Sequence, residues 1–154
     1  MEEADGELYR KHADELIRFA TGLVGPTNAP DVVSEVVLRC MGSKRWAQVT
    51  EKRAYLFRCT YNEAARFHRS TNRRRSREAR AAPSEPLDPQ EVRPEVLSAV
   101  SRLSIRQRAV VVLTYWEDLD PAAVARLLRI SEGSVRRHLN RARSRLREVL
   151  DADS

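Results

Sequence analysis

The residues best suited to chemistry lie near the C-terminal end of the chain, on one side of a basic segment. Guanidinium and amide groups form paired hydrogen bonds with base edges in the major groove of duplex DNA. Drawn as a helix, the segment places an aliphatic stripe opposite these groups, beginning at Val135 and Leu139. The pattern favours a DNA-reading helix, and its candidate contact residues are Ser134, Arg136, Arg137, Asn140 and Arg141.

The alternative for this segment is a solvated surface, which is the usual role of arginines opposite an apolar stripe. Between Arg126 and Arg147, however, Glu132 is the one acid among eight arginines. A helix that only faces water normally mixes charges of both signs, because like charges repel. We therefore favour DNA binding over a solvated face.

A second basic stripe lies in the first half of the chain. Its residues recur at helical spacing, so they share one ridge: Tyr55, Asn62, Arg66, Arg69 and Arg73. An aromatic ring, an amide and guanidiniums can stack on unpaired bases and bind phosphates. Three further aromatics, Phe57, Tyr61 and Phe67, are expected near this stripe. For the basic run that continues to Arg80, a solvated segment remains an equal alternative.

Apolar periodicity and helix-ending residues predict three helices in this half, over about 6–24, 30–42 and 51–73. On the third helix, Leu56, Ala64 and Phe67 fall opposite the basic stripe and should face the core. No segment alternates convincingly as a strand.

The second half contains a predicted helix-turn-helix. Asp120 is an N-cap followed by Pro121 at the first helical position, and Ser131 caps the basic helix. Only residues 129–131 separate the two helices, which suits a helix-turn-helix connection. A capping box, Ser104 with Gln107, begins another helix upstream, and a short helix near Val96 precedes it.

Residues 81–93 are rich in proline and acidic residues and have little to bury, which predicts an extended linker. The expected fold class is all-α, with two small helical domains, 1–80 and 94–154, on either side of that linker. Two DNA-contacting surfaces on a tether suggest recognition of two separated sites.

Composition limits the classes of function. The chain has 154 residues and a formal net charge of +6, which indicates nucleic acid or an acidic protein surface as partner. No apolar run approaches the roughly 20 residues of a membrane span, and the N-terminus lacks the apolar core of a secretory signal. A cytoplasmic protein without a membrane partner is expected.

Catalytic, metal and cofactor sites are not indicated. His12, His68 and His138 are scattered, without a nucleophile or metal-ligand spacing beside them. Cys40 and Cys59 lack a CxxC spacing, and we interpret them as buried thiols rather than redox sensors. The expectation is a protein that is not an enzyme.

With these motifs, the chain resembles the extracytoplasmic-function group of the bacterial sigma-70 family, whose members carry regions 2 and 4 only. The likeness to region 4 is carried by LSIRQRAVVVLTYWEDLDPAAVARLLRISEGSVRRHLNRARSRLRE, and the likeness to region 2 by NAPDVVSEVVLRCM and AYLFRCTYNEAARFHRS. The resemblance implies an RNA polymerase sigma factor that directs promoter-specific initiation.

The resemblance also implies residue roles. The helix with Asp31, Val32, Glu35 and Arg39 would dock on the β′ clamp helices of core RNA polymerase, and region 4 would meet the β flap. Asn62 and the stripe around it would recognise and melt the −10 element. The basic helix would read the −35 element. Promoter DNA and core polymerase are thus the expected partners, with an anti-sigma factor as a further one.

Some residues depart from the family pattern. Tyr55 stands where many members have Trp, Ser34 replaces a usual Gln, Cys59-Thr60-Tyr61 is unusual, and Arg129 replaces a common Gly before the turn. Promoter sequence therefore cannot be transferred from relatives. The alternative function is a stand-alone helix-turn-helix regulator of duplex DNA, which would leave the Tyr55–Arg73 stripe unused.

Overall fold

The computed structural model describes residues 3–78 and 94–152, with side chains described for 4–71, 95–149 and 151. Those residues form seven α-helices, one 3-10 turn at Trp46–Gln48 and no strand, which confirms the all-α fold class. The helices are α1 (Glu3–Val24), α2 (Ala29–Met41), α3 (Lys52–Glu78), α4 (Pro94–Val100), α5 (Ile105–Tyr115), α6 (Pro121–Leu128) and α7 (Glu132–Ala152). The predicted linker, 81–93, lies outside the described residues.

In the first half of the chain, α1, α2 and α3 pack as a bundle around a core of aliphatic and aromatic side chains. Leu16, Phe19 and Leu23 of α1 are fully buried. The Phe19 ring lies against Phe57 of α3, with 5.2 Å between ring centroids. Leu56 and Ala64 are fully buried as predicted, whereas Phe67 is only half-buried.

The helix ends confirm the capping signals. Asp120 Oδ1 accepts the backbone N–H of Ala123 at 2.8 Å, and Pro121 begins α6. The capping box closes in both directions, because Ser104 Oγ accepts from Gln107 N and Gln107 Oε1 accepts from Ser104 N. These bonds satisfy amides that have no partner inside the first helical turn.

Two local features differ from the predictions. The basic helix α3 continues to Glu78, beyond the expected end near Arg73, and no glycine or proline interrupts the sequence there. The 3-10 turn was not predicted, and it buries the Trp46 ring in the core. The indole Nε1 donates to Asp5 Oδ1 at 2.8 Å, which ties this turn to the start of α1.

The second half forms around α5, whose residues 109–113 are all buried. This helix contacts α6 and α7 on one side and α1 of the first half on another. The two halves therefore share a continuous apolar core among the described residues. The predicted linker indicated two separate domains but gave no information on whether they contact each other. The domain boundaries at 1–80, 81–93 and 94–154 stay a prediction.

Arginines surround the contact between the halves with polar interactions. Arg108 Nη1 donates to the carbonyl of Leu23 at 2.7 Å, and Arg58 Nε donates to the carbonyl of Leu127 at 3.1 Å. Arg18 Nε binds Glu117 Oε1 at 3.0 Å, and the Glu117 side chain is only 3% exposed. A buried carboxylate without such a partner would be strongly destabilising.

The two halves pack tightly against each other at Gly22. A Cβ added there would lie 2.5 Å from Cγ2 of Val112, inside any normal contact distance. Val112 is itself buried, with 3% of its surface exposed. We predict that Gly22→Ala destabilises the fold by about 1–2 kcal/mol, since overpacking outweighs the gain in helix propensity.

Gly6→Ala is the matched control on the same helix. A Cβ at Gly6 meets only the flexible side chain of Arg10 at 3.6 Å, so this variant should be about 0.5–1 kcal/mol more stable. Urea unfolding of both variants measures the difference. Equal stability of the two would show that α1 and α5 do not pack this closely.

Candidate nucleic-acid interface

The basic side of α7 is open to solvent over its whole predicted length. Arg136, Arg137, Asn140 and Arg141 are exposed, and Ser134 is half-buried beside them. Val135, Leu139 and Ala142 are buried against α5 and α6 on the opposite side. The helix is therefore fixed by its apolar side, so that the guanidinium and amide groups project outward together.

The turn before α7 sets the angle of the helix. Ser131 Oγ accepts the backbone N–H of Ser134 at 3.0 Å, which confirms the predicted N-cap. Arg129 adopts the left-handed conformation, with φ 57° and ψ 48°, and Ile130 N donates to the carbonyl of Ala125 at 3.0 Å. This is the position where glycine is common at helix C-termini.

The charges on α7 are only weakly compensated. Arg136 Nη2 lies 3.8 Å from Glu132 Oε2, and both side chains are largely exposed, so the pair is worth little in water. Burial, followed by the charges of Arg106, Arg137 and Arg141, lowers the pKa of His138. The positive charge of this surface at neutral pH therefore comes from its exposed guanidiniums, which have little acidic compensation.

The structure adds two residues to this surface that the helical pattern of α7 had not indicated as DNA contacts. A shallow depression beside Asn140 and Arg141 is also lined by Gln107 of α5 and by Ser144, Arg145 and Glu148 of α7. Gln107 comes from a different helix, so α7 periodicity alone could not have found it. An amide and a further guanidinium can bind phosphate or base edges next to the predicted contacts.

The basic stripe on α3 is only partly exposed to solvent. Asn62, Arg66 and Arg69 are exposed on α3, and Arg66 Nη2 lies 3.5 Å from Glu63 Oε1. Tyr55 is half-buried and packs against Trp46, with 6.2 Å between ring centroids. Arg73 lies within α3, but its side chain is outside the described residues.

Two aromatics expected near the stripe are not accessible for base stacking in this arrangement. Phe57 is fully buried against Phe19, and Tyr61 is only 9% exposed. The hydroxyl of Tyr61 accepts a hydrogen bond from Arg106 Nε of the second half at 3.4 Å. Both lie on the core side of α3, which corrects the expectation from the sequence.

The predicted polymerase-docking surface lies on α2. Asp31, Glu35 and Arg39 are exposed on its outer side, and Arg39 bridges Glu35 at 2.9 Å and Glu63 at 3.0 Å. The hydrogen bond with Glu63, joined by that with Glu35, raises the pKa of Arg39. These carboxylates hold the guanidinium in place across α2 and α3.

One docking residue is placed differently from the prediction, and one was missed. Val32 is 5% exposed and points into the core, so it supports α2 from inside. Leu38 is 66% exposed, although it is a large apolar side chain. Its spacing of seven residues from Asp31 places it on the same side of α2, and that spacing could have identified it from the sequence.

Within the described residues, no group of three or more His, Cys, Asp or Glu side chains is placed to hold a metal ion. No helix in residues 3–78 and 94–152 has the length and apolar character needed to cross a membrane.

Family models match both halves of the chain. The model described as Sigma-70 region 2 matches residues 8–74, and the model described as Sigma-70, region 4 matches residues 93–146. The RNA polymerase sigma-E factor of Streptomyces antibioticus is 33% identical, over 94% of this chain and 83% of that protein. The ECF RNA polymerase sigma factor SigL of Mycobacterium tuberculosis is also 33% identical, over 93% of this chain and 86% of that protein.

Solved structures are similar over nearly the whole chain. The sigma factor RpoE in complex with the anti-sigma factor NepR from Bartonella quintana is 20% identical, with a TM-score of 0.76 over 97% of this chain and 98% of that chain. CnrH in complex with the cytosolic domain of CnrY is 26% identical, with a TM-score of 0.69 over 98% of this chain and 90% of that chain.

The chain therefore belongs to the bacterial sigma-70 family, in its extracytoplasmic-function group. It is an RNA polymerase sigma factor, whose partners are core RNA polymerase and promoter DNA. Promoter-directed transcription initiation, which the resemblance implied, is confirmed as its function.

The left-handed residue in the turn generates a prediction. Arg129→Gly removes the steric cost of a Cβ at φ 57°, which exceeds the entropy that glycine loses on folding. We expect thermal unfolding to show unchanged or slightly higher stability, by up to about 1 kcal/mol. Arg129→Val, which tolerates this conformation poorly, should lower stability by about 1–2 kcal/mol. A destabilising glycine would contradict the assigned backbone conformation.

Proposed function

We propose that this sigma factor divides promoter recognition between two rigid helices, with α7 reading the −35 duplex and α3 binding the melted −10 element. The observation that carries the proposal is the exposed, weakly compensated basic side of α7, supported by a buried apolar side. Its assigned contact residues are Ser134, Arg136, Arg137, Asn140 and Arg141.

Each helix has the chemistry that its DNA form requires. Duplex reading needs guanidinium and amide groups directed at base edges, and α7 presents both in a row. Holding unpaired bases needs stacking and phosphate contacts, worth roughly 1–3 kcal/mol per stacked base. On α3 these are assigned to Tyr55, Asn62, Arg66, Arg69 and Arg73.

Docking to core polymerase is assigned to the outer side of α2. The charged part of this surface consists of Asp31, Glu35 and Arg39. The exposed side chain of Leu38 lies among them and supplies an apolar contact. Val32 contributes from the core by holding the helix in place. A charged rim around one apolar side chain is typical of protein interfaces.

We infer that a protein partner regulates this chain; the inference is supported by the likeness to CnrH, which was solved bound to the cytosolic domain of CnrY. We infer that this chain is bound in a similar way by an anti-sigma factor, and that it acts in the bacterial cytoplasm. We also infer a binding subunit rather than an enzyme, without a bound metal or cofactor.

In vitro transcription tests the proposal. Core RNA polymerase with and without this protein should be compared on pooled genomic DNA of the source organism. We expect protein-dependent start sites that share two spaced upstream motifs. Duplex binding without polymerase, together with no new transcripts, would instead support the stand-alone regulator.

The same assay tests the recognition helix. Arg136→Ala and Arg141→Ala should each lower transcription from an identified promoter by roughly 5- to 150-fold, corresponding to ~1–3 kcal/mol per lost bidentate contact. Arg10→Ala is the control, because it removes the same charge from an exposed site on α1. Equal effects of the three variants would indicate a general charge effect and not base recognition.

Charge reversal tests the docking surface. Asp31→Lys with Glu35→Lys should weaken binding to core polymerase at least tenfold, because like charges across an interface are strongly unfavourable. Glu7→Lys with Asp14→Lys changes the net charge equally at exposed positions of α1 and serves as the control. Fluorescence titration with core polymerase measures the affinity; unchanged binding by the α2 variant would assign docking to another surface.

A further inference from the structure

The two cysteines of the chain come together between α2 and α3. Cys40 is near the end of α2, and Cys59 is in the first half of α3. Contacts with known distances lie on either side of them: Arg39 Nη1 is 3.0 Å from Glu63 Oε2, and the Trp46 and Tyr55 rings are 6.2 Å apart. Trp46 comes after Arg39 in the chain, whereas its partner Tyr55 comes before Glu63, so the two segments run antiparallel. This arrangement places the two thiols between these contacts.

The geometry of packed helices suits a covalent link at this place. Helix axes in contact lie about 8–10 Å apart, and each Cα lies about 2.3 Å from its axis, so directly facing Cα atoms are about 3.5–5.5 Å apart, a range that overlaps the disulfide range. A disulfide requires a Cα separation of about 4.4–6.8 Å. The two thiols are close enough for each to shift the pKa of the other.

The surroundings make the two thiols unequal. Cys40 is buried in the core with 4% of its surface exposed, whereas Cys59 is half-buried beside Tyr55. The hydrogen bond from Cys40, then those of Tyr55 and the charges of Arg58 and Arg39, lower the pKa of Cys59 to about 7 against the opposing effect of burial. The hydrogen bond with Cys59, together with burial, raises the pKa of Cys40. Cys59 is thus the more nucleophilic thiol at neutral pH.

We propose that Cys40 and Cys59 form a reversible, peroxide-sensitive disulfide that ties the docking helix α2 to the DNA-binding helix α3. The Cys59 thiolate attacks one oxygen of hydrogen peroxide, the O–O bond breaks, and hydroxide leaves, giving a sulfenic acid on Cys59. Cys40, after losing its proton, attacks that sulfur; the S–O bond breaks, the S–S bond forms, and water leaves. A dithiol reductant returns both thiols.

The consequence for transcription rests on the proposed function of α3. In the reduced state the Cys59 thiol lies close enough to Tyr55, a residue assigned to the −10 element, for each group to shift the pKa of the other. Disulfide formation withdraws that sulfur toward α2 and fixes the two helices against each other. We expect less efficient melting, with promoter-directed transcription reduced several-fold in the oxidised protein.

The chemical step can be tested without polymerase. The full chain is treated with hydrogen peroxide, and peptides are mapped by mass spectrometry with and without reduction. We expect a Cys40–Cys59 disulfide, formed at a rate that rises through about pH 7. Cys40→Ala should accumulate a dimedone-reactive sulfenic acid on Cys59, whereas Cys59→Ser should leave Cys40 unmodified. Circular dichroism confirms that each variant is folded.

Peptides in which both thiols stay free, or in which cysteines link only between two molecules, would overturn the proposed pair. For regulation, wild type and Cys40→Ala are compared in transcription after equal peroxide treatment. Transcription by wild type should fall and recover with dithiothreitol, while that by Cys40→Ala should not show this reversible loss. Equal transcription by oxidised and reduced wild type would overturn the switch. Failure of the reduced protein to direct transcription would instead count against the proposed function.

Discussion

The burial of one side of α1 is the constraint on which the rest of the structure depends. Leu16, Phe19 and Leu23 are fully enclosed, and α1 contacts α2, α3 and α5. The basic helices α3 and α7 each leave a basic side exposed to water, so neither can bury all of its surface. The amphipathic helix α1 supplies apolar surface to both halves from its buried side. The basic helices α3 and α7 can therefore keep their outer sides exposed.

Arginine serves two physical purposes in this chain, and its surroundings separate them. On α7 the guanidiniums are exposed and have few acidic neighbours, so they are available to an anionic ligand. Between the halves, Arg58 and Arg108 donate to backbone carbonyls, and Arg18 neutralises the buried carboxylate of Glu117. A planar group with five donors can cap carbonyls and carboxylates at an interface, which an ammonium does less well.

The sequence predicted whatever depends on local pattern, and it missed what depends on the partner across a contact. The caps at Asp120, Ser104 and Ser131 and the exposed side of α7 follow from neighbouring residues and the helical period, and these features are confirmed. The period shows which side of α3 is apolar, but it does not show that Arg106 of another helix covers Tyr61. For the same reason Cys40 and Cys59 looked unrelated, since their proximity arises only when α2 and α3 pack. The individual DNA and polymerase contacts remain predictions.

The contact between the halves also sets a limit on reach. Elements named −35 and −10 are separated by roughly 85 Å of duplex at about 3.4 Å per base pair. A compact body of this chain length has a radius of gyration of only about 15 Å. A molecule that spans both elements must therefore separate α5 from α1 and expose Val112 and its neighbours to water. The apparent affinity for a promoter then scales with the fraction of molecules that are open, so residues that never approach DNA tune how strongly it is bound.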